Sequence, residues 1–77
     1  MPRFAVALAN FMEEDVNVRI VEAEEEVDVL QSIAEELYGE SLSDAIAELE
    51  DEAVTEYLGQ VVINQEHGIA ITLIEEQ

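Results

Sequence analysis

The sequence predicts an α+β domain of two layers: a four-stranded antiparallel sheet with two helices on one face, in the order ββααββ. Three observations lead there. Apolar residues alternate with period two near the start, recur at three- and four-residue spacing through the middle, and return as β-branched runs near the end. The 77 residues read as one domain, 1–77, with no linker, internal repeat or low-complexity tract. Hydrophobic residues make up 49% of the chain, enough for a core. A domain this small buries only about 60% of its unfolded surface, so any further contact helps it.

The first strand hairpin is expected over 3–22. Phe4, Val6 and Leu8 fall on one side of the first strand and Ala5, Ala7 and Ala9 on the other. After the polar turn Glu13-Glu14-Asp15, Val16, Val18 and Ile20 alternate with Asn17, Arg19 and Val21 in a returning strand. Val27, Leu30, Ile33 or Ala34, and Leu37 then mark an amphipathic helix over about 24–38, with acidic residues at its start and Gly39 in position to end it. Ser41-Leu42-Ser43-Asp44 matches a Ser-x-x-acid cap ahead of Ile46, Leu49, Ala53 and Tyr57, which predicts a second helix over about 42–58 ending near Gly59. Val61-Val62-Ile63 and Ile69 to Ile74 flank Gln65-Glu66-His67-Gly68, a second hairpin over 60–75 with Gly68 free to take positive φ.

With two helices on one sheet face, the opposite face is expected to show Ala5, Ala7, Ala9, Val21, Val62, Ala70, Thr72 and Ile74. That surface is more apolar than a solvated face requires. A homodimer would cover it with one self-complementary patch; small residues that tolerate water are the alternative.

Twenty acidic residues stand against two arginines and no lysine, a formal charge of −18. Valine, alanine, isoleucine and leucine nevertheless supply 9, 9, 7 and 7 residues, which separates the chain from a disordered acidic tail. The lack of cysteine removes disulfides, thiolate catalysis and zinc–thiolate sites and suits a reducing cytoplasm. No apolar run approaches the roughly 18 residues of a membrane span, and Met-Pro-Arg-Phe lacks a signal-peptide layout, so a soluble intracellular protein is expected. Direct nucleic-acid binding is not expected, because only Arg3 and Arg19 could neutralise phosphates. The charge points towards basic partners.

Asp44, Glu48, Glu52 and Glu56 are spaced by four, which on one helix makes a single carboxylate ladder with steps of about 6 Å, comparable to the spacing of phosphates along a nucleic-acid strand. Glu50 and Asp51 widen it, and the first helix offers Glu24, Asp28, Ser32, Glu36 and, beyond its end, Glu40. Each like-charged i,i+4 pair costs a helix about 0.2–0.5 kcal/mol, and no lysine is interleaved to offset it. Solubility alone needs a net charge magnitude of only about 2–8. The partner-binding candidates are therefore Asp44, Glu48, Glu52, Glu56, Glu36, Glu40 and Asp51, set against the bland reading of a solvated face.

Catalytic constellations are weak. A hydrolytic carboxylate pair needs a substrate-sized cleft, which 77 residues seldom enclose. His67 is the only imidazole and falls in a predicted turn. The run from Glu48 to Glu56 lacks the alternating ligands and central glycine of a calcium loop, and Gly39, Gly59 and Gly68 are isolated, so no phosphate cradle is expected. Tyr57 continues an apolar stripe, while Tyr38 is a candidate interface aromatic. Neither cofactor, metal nor catalytic residue is predicted.

A short, lysine-free, acidic α+β chain with carboxylate rows resembles the small DNA-mimic inhibitors encoded by phages and mobile elements, of which anti-CRISPR and anti-restriction proteins are well-populated groups. The opening Arg3-Phe4-Ala5-Val6-Ala7-Leu8-Ala9-Asn10-Phe11, followed by Val18-Arg19-Ile20-Val21-Glu22-Ala23 and a Glu-rich helix start, is similar to a layout common among small phage-encoded proteins. The resemblance covers the whole chain in composition and element order. It implies a non-enzymatic inhibitor in the host-cell cytoplasm whose target has a basic groove, such as a CRISPR effector complex, a restriction enzyme, a nuclease or a nucleoid protein. A second reading stands beside it: an interaction or assembly module that dimerises through the apolar sheet face and whose acidity serves solubility or salt adaptation. Sixteen glutamates to four aspartates and many large aliphatics argue in part against salt adaptation.

Overall fold

A computed structural model describes residues 2–75. The element order is ββαααβ: β1 (Arg3–Asn10), β2 (Asp15–Glu22), α1 (Glu26–Tyr38), α2 (Ser43–Ala47), α3 (Asp51–Asn64) and β3 (His67–Glu75). The strands form one antiparallel sheet in the order β2-β1-β3, with β1 central. The expected 3–22 hairpin and the helix near 24–38 are present, and the helices lie on one face of the sheet. The four-stranded sheet and the ββααββ order are not; three strands and three helices replace them.

Phe4, Val6 and Leu8 point at the helices and pack on Ala23, Val29 and Ile33. A second cluster joins Leu30 and Ala34 of α1 to Leu42 and to Leu58, Val61 and Val62 of α3. Ile69 and Ile71 touch both clusters, so β3 ties the helices to the sheet.

Both departures from the expected elements arise in the segment 42–64. The helix expected over 42–58 divides, because Glu48, Glu50, Asp51 and Glu52 crowd four carboxylates into five positions with no cation nearby in sequence. Breaking the helix at 48–50 turns Asp51 and Glu52 into first-turn residues of α3, where the helix dipole favours anions. The expected cap is displaced as well: Leu42, not Ser41, precedes α2, and Leu42 itself is buried. At the other end, the strand expected from residue 60 is helix. Val54, Tyr57, Leu58, Val61 and Val62 make a continuous stripe at three- and four-residue spacing, and burying that stripe outweighs the β preference of Val61-Val62-Ile63. Gly59 thus lies inside α3 rather than at its end, and Val62, expected on the open sheet face, is fully buried in the core. A Cβ added at Gly59 would meet nothing within 4 Å. Gly59→Ala is therefore expected to stabilise the fold by about 0.5–1 kcal/mol, read as a higher urea midpoint. A drop would contradict the helical assignment.

Gly39 closes α1 as expected, at φ 90°, with its N–H donating to the Glu35 carbonyl at 2.8 Å. In the turn before β3, positive φ falls on Glu66 (60°) rather than Gly68. Gly68 lies in β3 under the Phe11 ring, where an added Cβ would come within 2.8 Å of Cζ. Among the described residues, no helix is long and apolar enough to cross a membrane.

Candidate functional site

Two surfaces differ sharply in chemistry. The first is the acidic side of the helical layer. Asp44 sits in the first turn of α2, Glu48 caps its C-terminus, Asp51 and Glu52 open α3, and Glu56 follows one turn later. Glu36 lies on α1 and Glu40 just past Gly39. All seven are exposed. The expected single ladder is broken: Asp44–Glu48 and Glu52–Glu56 belong to different helices separated by Leu49 and Glu50. What remains is a dense carboxylate field without a fixed repeat. Glu36 is also partly neutralised, since Arg19 Nη1 lies 3.0 Å from its Oε2.

One acidic residue has a structural task. Glu35, half-buried, accepts the Leu42 backbone N–H at 2.8 Å and lies within hydrogen-bond reach of Gln31 at 3.3 Å and Ser41 at 3.4 Å. The Leu42 N–H first, and then these side chains, hold its carboxyl below the ordinary value. It pins the 39–42 connection and so seats Leu42 in the core. Because the folded-state value is depressed, its stabilisation is present above the unfolded value of about 4.3 and is lost as pH falls through the folded one. Glu35→Ala is expected to cost about 1 kcal/mol at pH 7 and progressively less in acid. Urea titrations at pH 7 and pH 3 would check this; a gap that widened in acid would contradict the clamp.

The second surface is the outer face of the sheet. The hairpin register pairs Ala5 with Ile20, Ala7 with Val18 and Ala9 with Val16, so the apolar side of β2 faces away from the helices. Val21, expected on the open face, pairs with Phe4 and touches the core instead. Strand β2 lies at the sheet edge; on the helix side its Asn17 and Arg19 remain exposed, and Arg19 reaches Glu36. Polar residues suit that side, and the aliphatic ones occupy the other.

The outer face consequently carries Ala5, Ala7 and Ala9 along β1, Val16, Val18 and Ile20 along β2, and Gly68, Ala70 and Thr72 along β3; exposed Ile74 lies at a register shift, between Leu73, paired with Phe4, and Glu75, paired with Arg3. Val18 is 69% exposed, and Phe11 and Met12 at the end of the face 57% and 76%. Among described side chains its charges are Arg3 and Glu22 at one end, which pair at 3.4 Å. Sequence reasoning placed Ala5, Ala7, Ala9, Ala70 and Thr72 here but missed the β2 residues; Ile74, expected here too, falls at the register shift that interrupts the alternation. The signal was the connection of four residues, 11–14, which sets odd positions of β1 opposite even positions of β2.

Where the first turns of α1 and α3 approach, a cleft of about 270 Å³ is lined by Glu25, Val27, Asp51, Val54 and Thr55. Ligand sites typically occupy about 300–1,000 Å³. His67 Nδ1–H donates to the Gln65 carbonyl at 2.6 Å, which ties the ring to its own turn. Among the described residues, no three His, Asp or Glu side chains are placed to hold a metal ion together. Comparison with protein-family models, curated proteins and solved structures finds no match to this chain.

Proposed function

We propose that the chain is a non-enzymatic inhibitor that acts in the cytoplasm, of a host cell if phage-encoded, by presenting carboxylates to a basic nucleic-acid-binding protein in place of phosphates. The observation that supports this reading is the uncompensated, exposed charge of the helical layer. Glu40, Asp44, Glu48, Glu50, Asp51, Glu52 and Glu56 all lie between residues 40 and 56, a segment without a single cation. The two arginines of the chain are engaged elsewhere, Arg3 with Glu22 and Arg19 with Glu36.

Such a field raises the encounter rate with a positively charged groove and adds charge-assisted contacts once docked. Because the row divides between α2 and α3, the imitation of a phosphate backbone is one of charge density, not of repeat distance. The target is then selected by the sign and depth of its groove.

Capture from a bacterial lysate with this protein as bait, at about 50 mM and about 500 mM salt, tests the reading, since exposed charge contacts are screened over this range. Recovery of one nucleic-acid-binding machine at low salt, lost at high salt and competed by added DNA, is the expected result. A partner retained at high salt and indifferent to DNA would overturn it.

A further inference from the structure

We infer that the outer face of the sheet is the interface of a homodimer, in which two copies pack sheet on sheet and carry their acidic helices on opposite outer sides. This rests on the apolar face alone and holds whatever the helical layer binds.

The relief of the face argues for a second copy as the occupant. Small residues line β1 (Ala5, Ala7, Ala9) and most of β3 (Gly68, Ala70, Thr72), whereas β2 presents the larger Val16, Val18 and Ile20. A two-fold axis along β1 leaves alanine rows facing each other and brings the β2 ridge of each copy over the low β3 row of the other. Val18 then meets the partner's Ala70, and Ile20 meets the partner's Thr72. Large side chains stand over small ones at Ala70 and Thr72, while at the Gly68 end the Phe11 ring fills the row and faces the partner's Val16, so one patch complements itself. Sheets stacked face to face in this way lie about 10 Å apart.

Area and charge agree. Three strands about 4.8 Å apart and eight residues long at about 3.3 Å each give a plan area on the order of 400 Å², and the exposed Phe11, whose ring lies over Gly68, extends it. The accessible area removed from two such faces is on the order of 1,000–1,200 Å², which reaches the roughly 1,000 Å² a biological interface needs and matches a weak, reversible dimer. A chain of charge −18 repels its own copy through most of its surface, but among the described side chains the strand positions of this face carry only the Arg3–Glu22 pair, with Glu13 and Glu14 in the turn at the other end. The helical layers end up separated by both sheets and the space between them, beyond the screening length of about 8 Å at physiological salt. A basic partner would gain little from strand positions whose described charges are one balanced ion pair.

Sedimentation equilibrium of the full chain from about 1 to 500 µM, at about 50 and 500 mM NaCl, reads the equilibrium directly. The expected result is a monomer–dimer equilibrium that tightens severalfold at high salt, opposite in sign to binding of a basic partner. Val18→Glu and Ala70→Glu each change an exposed position, and each is expected to weaken the dimer at least 100-fold with an unchanged far-UV circular dichroism spectrum. Ile63→Glu, an exposed apolar position on α3, is expected to leave the dimer unchanged. Should a glutamate variant lose its fold, Val18→Thr keeps the β-branched shape and still weakens the dimer about tenfold. A wild-type chain monomeric to 500 µM in high salt, or a dimer indifferent to the sheet-face variants or abolished by Ile63→Glu, would overturn the inference.

Discussion

Leu58→Ala is expected to remove about 3–5 kcal/mol and to leave much of the population unfolded in modest urea. Leu58 is fully buried on α3, where it meets Leu42 and the α1 residues Leu30 and Ala34. Truncation opens a cavity where three helical segments meet, and a chain with both sheet edges free has little further structure to collapse into it. A domain of this length holds roughly 4–11 kcal/mol in total, so this one side chain carries a large part of the margin. Val62→Ala is expected to cost about 1.5–3 kcal/mol, and Ile63→Ala, exposed on the next position, no more than about 0.5 kcal/mol. Urea midpoints of the three variants test α3 directly. In a strand, Val61 and Ile63 would share a face and Val62 would oppose them; in the helix, Val61 and Val62 are buried and Ile63 is not. An Ile63 variant weaker than the Val62 variant would rule out the helix over 60–64.

The first half of the fold was legible because two independent signals agreed in each element. In β1 the alternation of Phe4, Val6 and Leu8 with alanines matched the pleat, and in α1 the apolar spacing matched acidic residues at one end and Gly39 at the other. In 42–64 the signals conflicted. Carboxylate spacing suggested one helix, but charge crowding broke it; β-branched residues suggested a strand, but the stripe from Val54 to Val62 buried more as a helix. Gly59 was misread because an isolated glycine marks a helix end only when the apolar stripe stops there, and here it continues through Val61 and Val62. The acidic candidates were legible as exposed residues but not as an array, since their arrangement depended on the helix boundary. The sheet face was legible in its small residues and not in its large ones. Assigning Val16, Val18 and Ile20 to the outer side required the register of the hairpin and the knowledge that β2 projects past the helices, and neither is a property of the strand's own alternation.

The double variant Glu48→Lys with Glu56→Lys is expected to weaken binding to a basic partner on the order of 100-fold or more, through slower association and a shallower dependence on salt. Local structure makes it a clean test, because both changes favour the fold. Glu48 caps the C-terminus of α2, where the dipole disfavours an anion, and a lysine there is worth about 0.3–1 kcal/mol. Glu56 follows Glu52 by one turn, and a lysine turns that repulsion into an attractive Glu–Lys pair worth about 0.3–0.5 kcal/mol. Glu52→Lys would be a poorer choice, since it removes an anion from the first turn of α3. Reduced affinity in a protein of equal or higher urea midpoint can then be ascribed to the acidic surface itself. Unchanged affinity would remove the helical layer from the interface and leave the sheet face as the working surface. Because neither position touches that face, self-association measured on the same variant should stay at the wild-type value or tighten slightly, as the net negative charge of each copy falls by four.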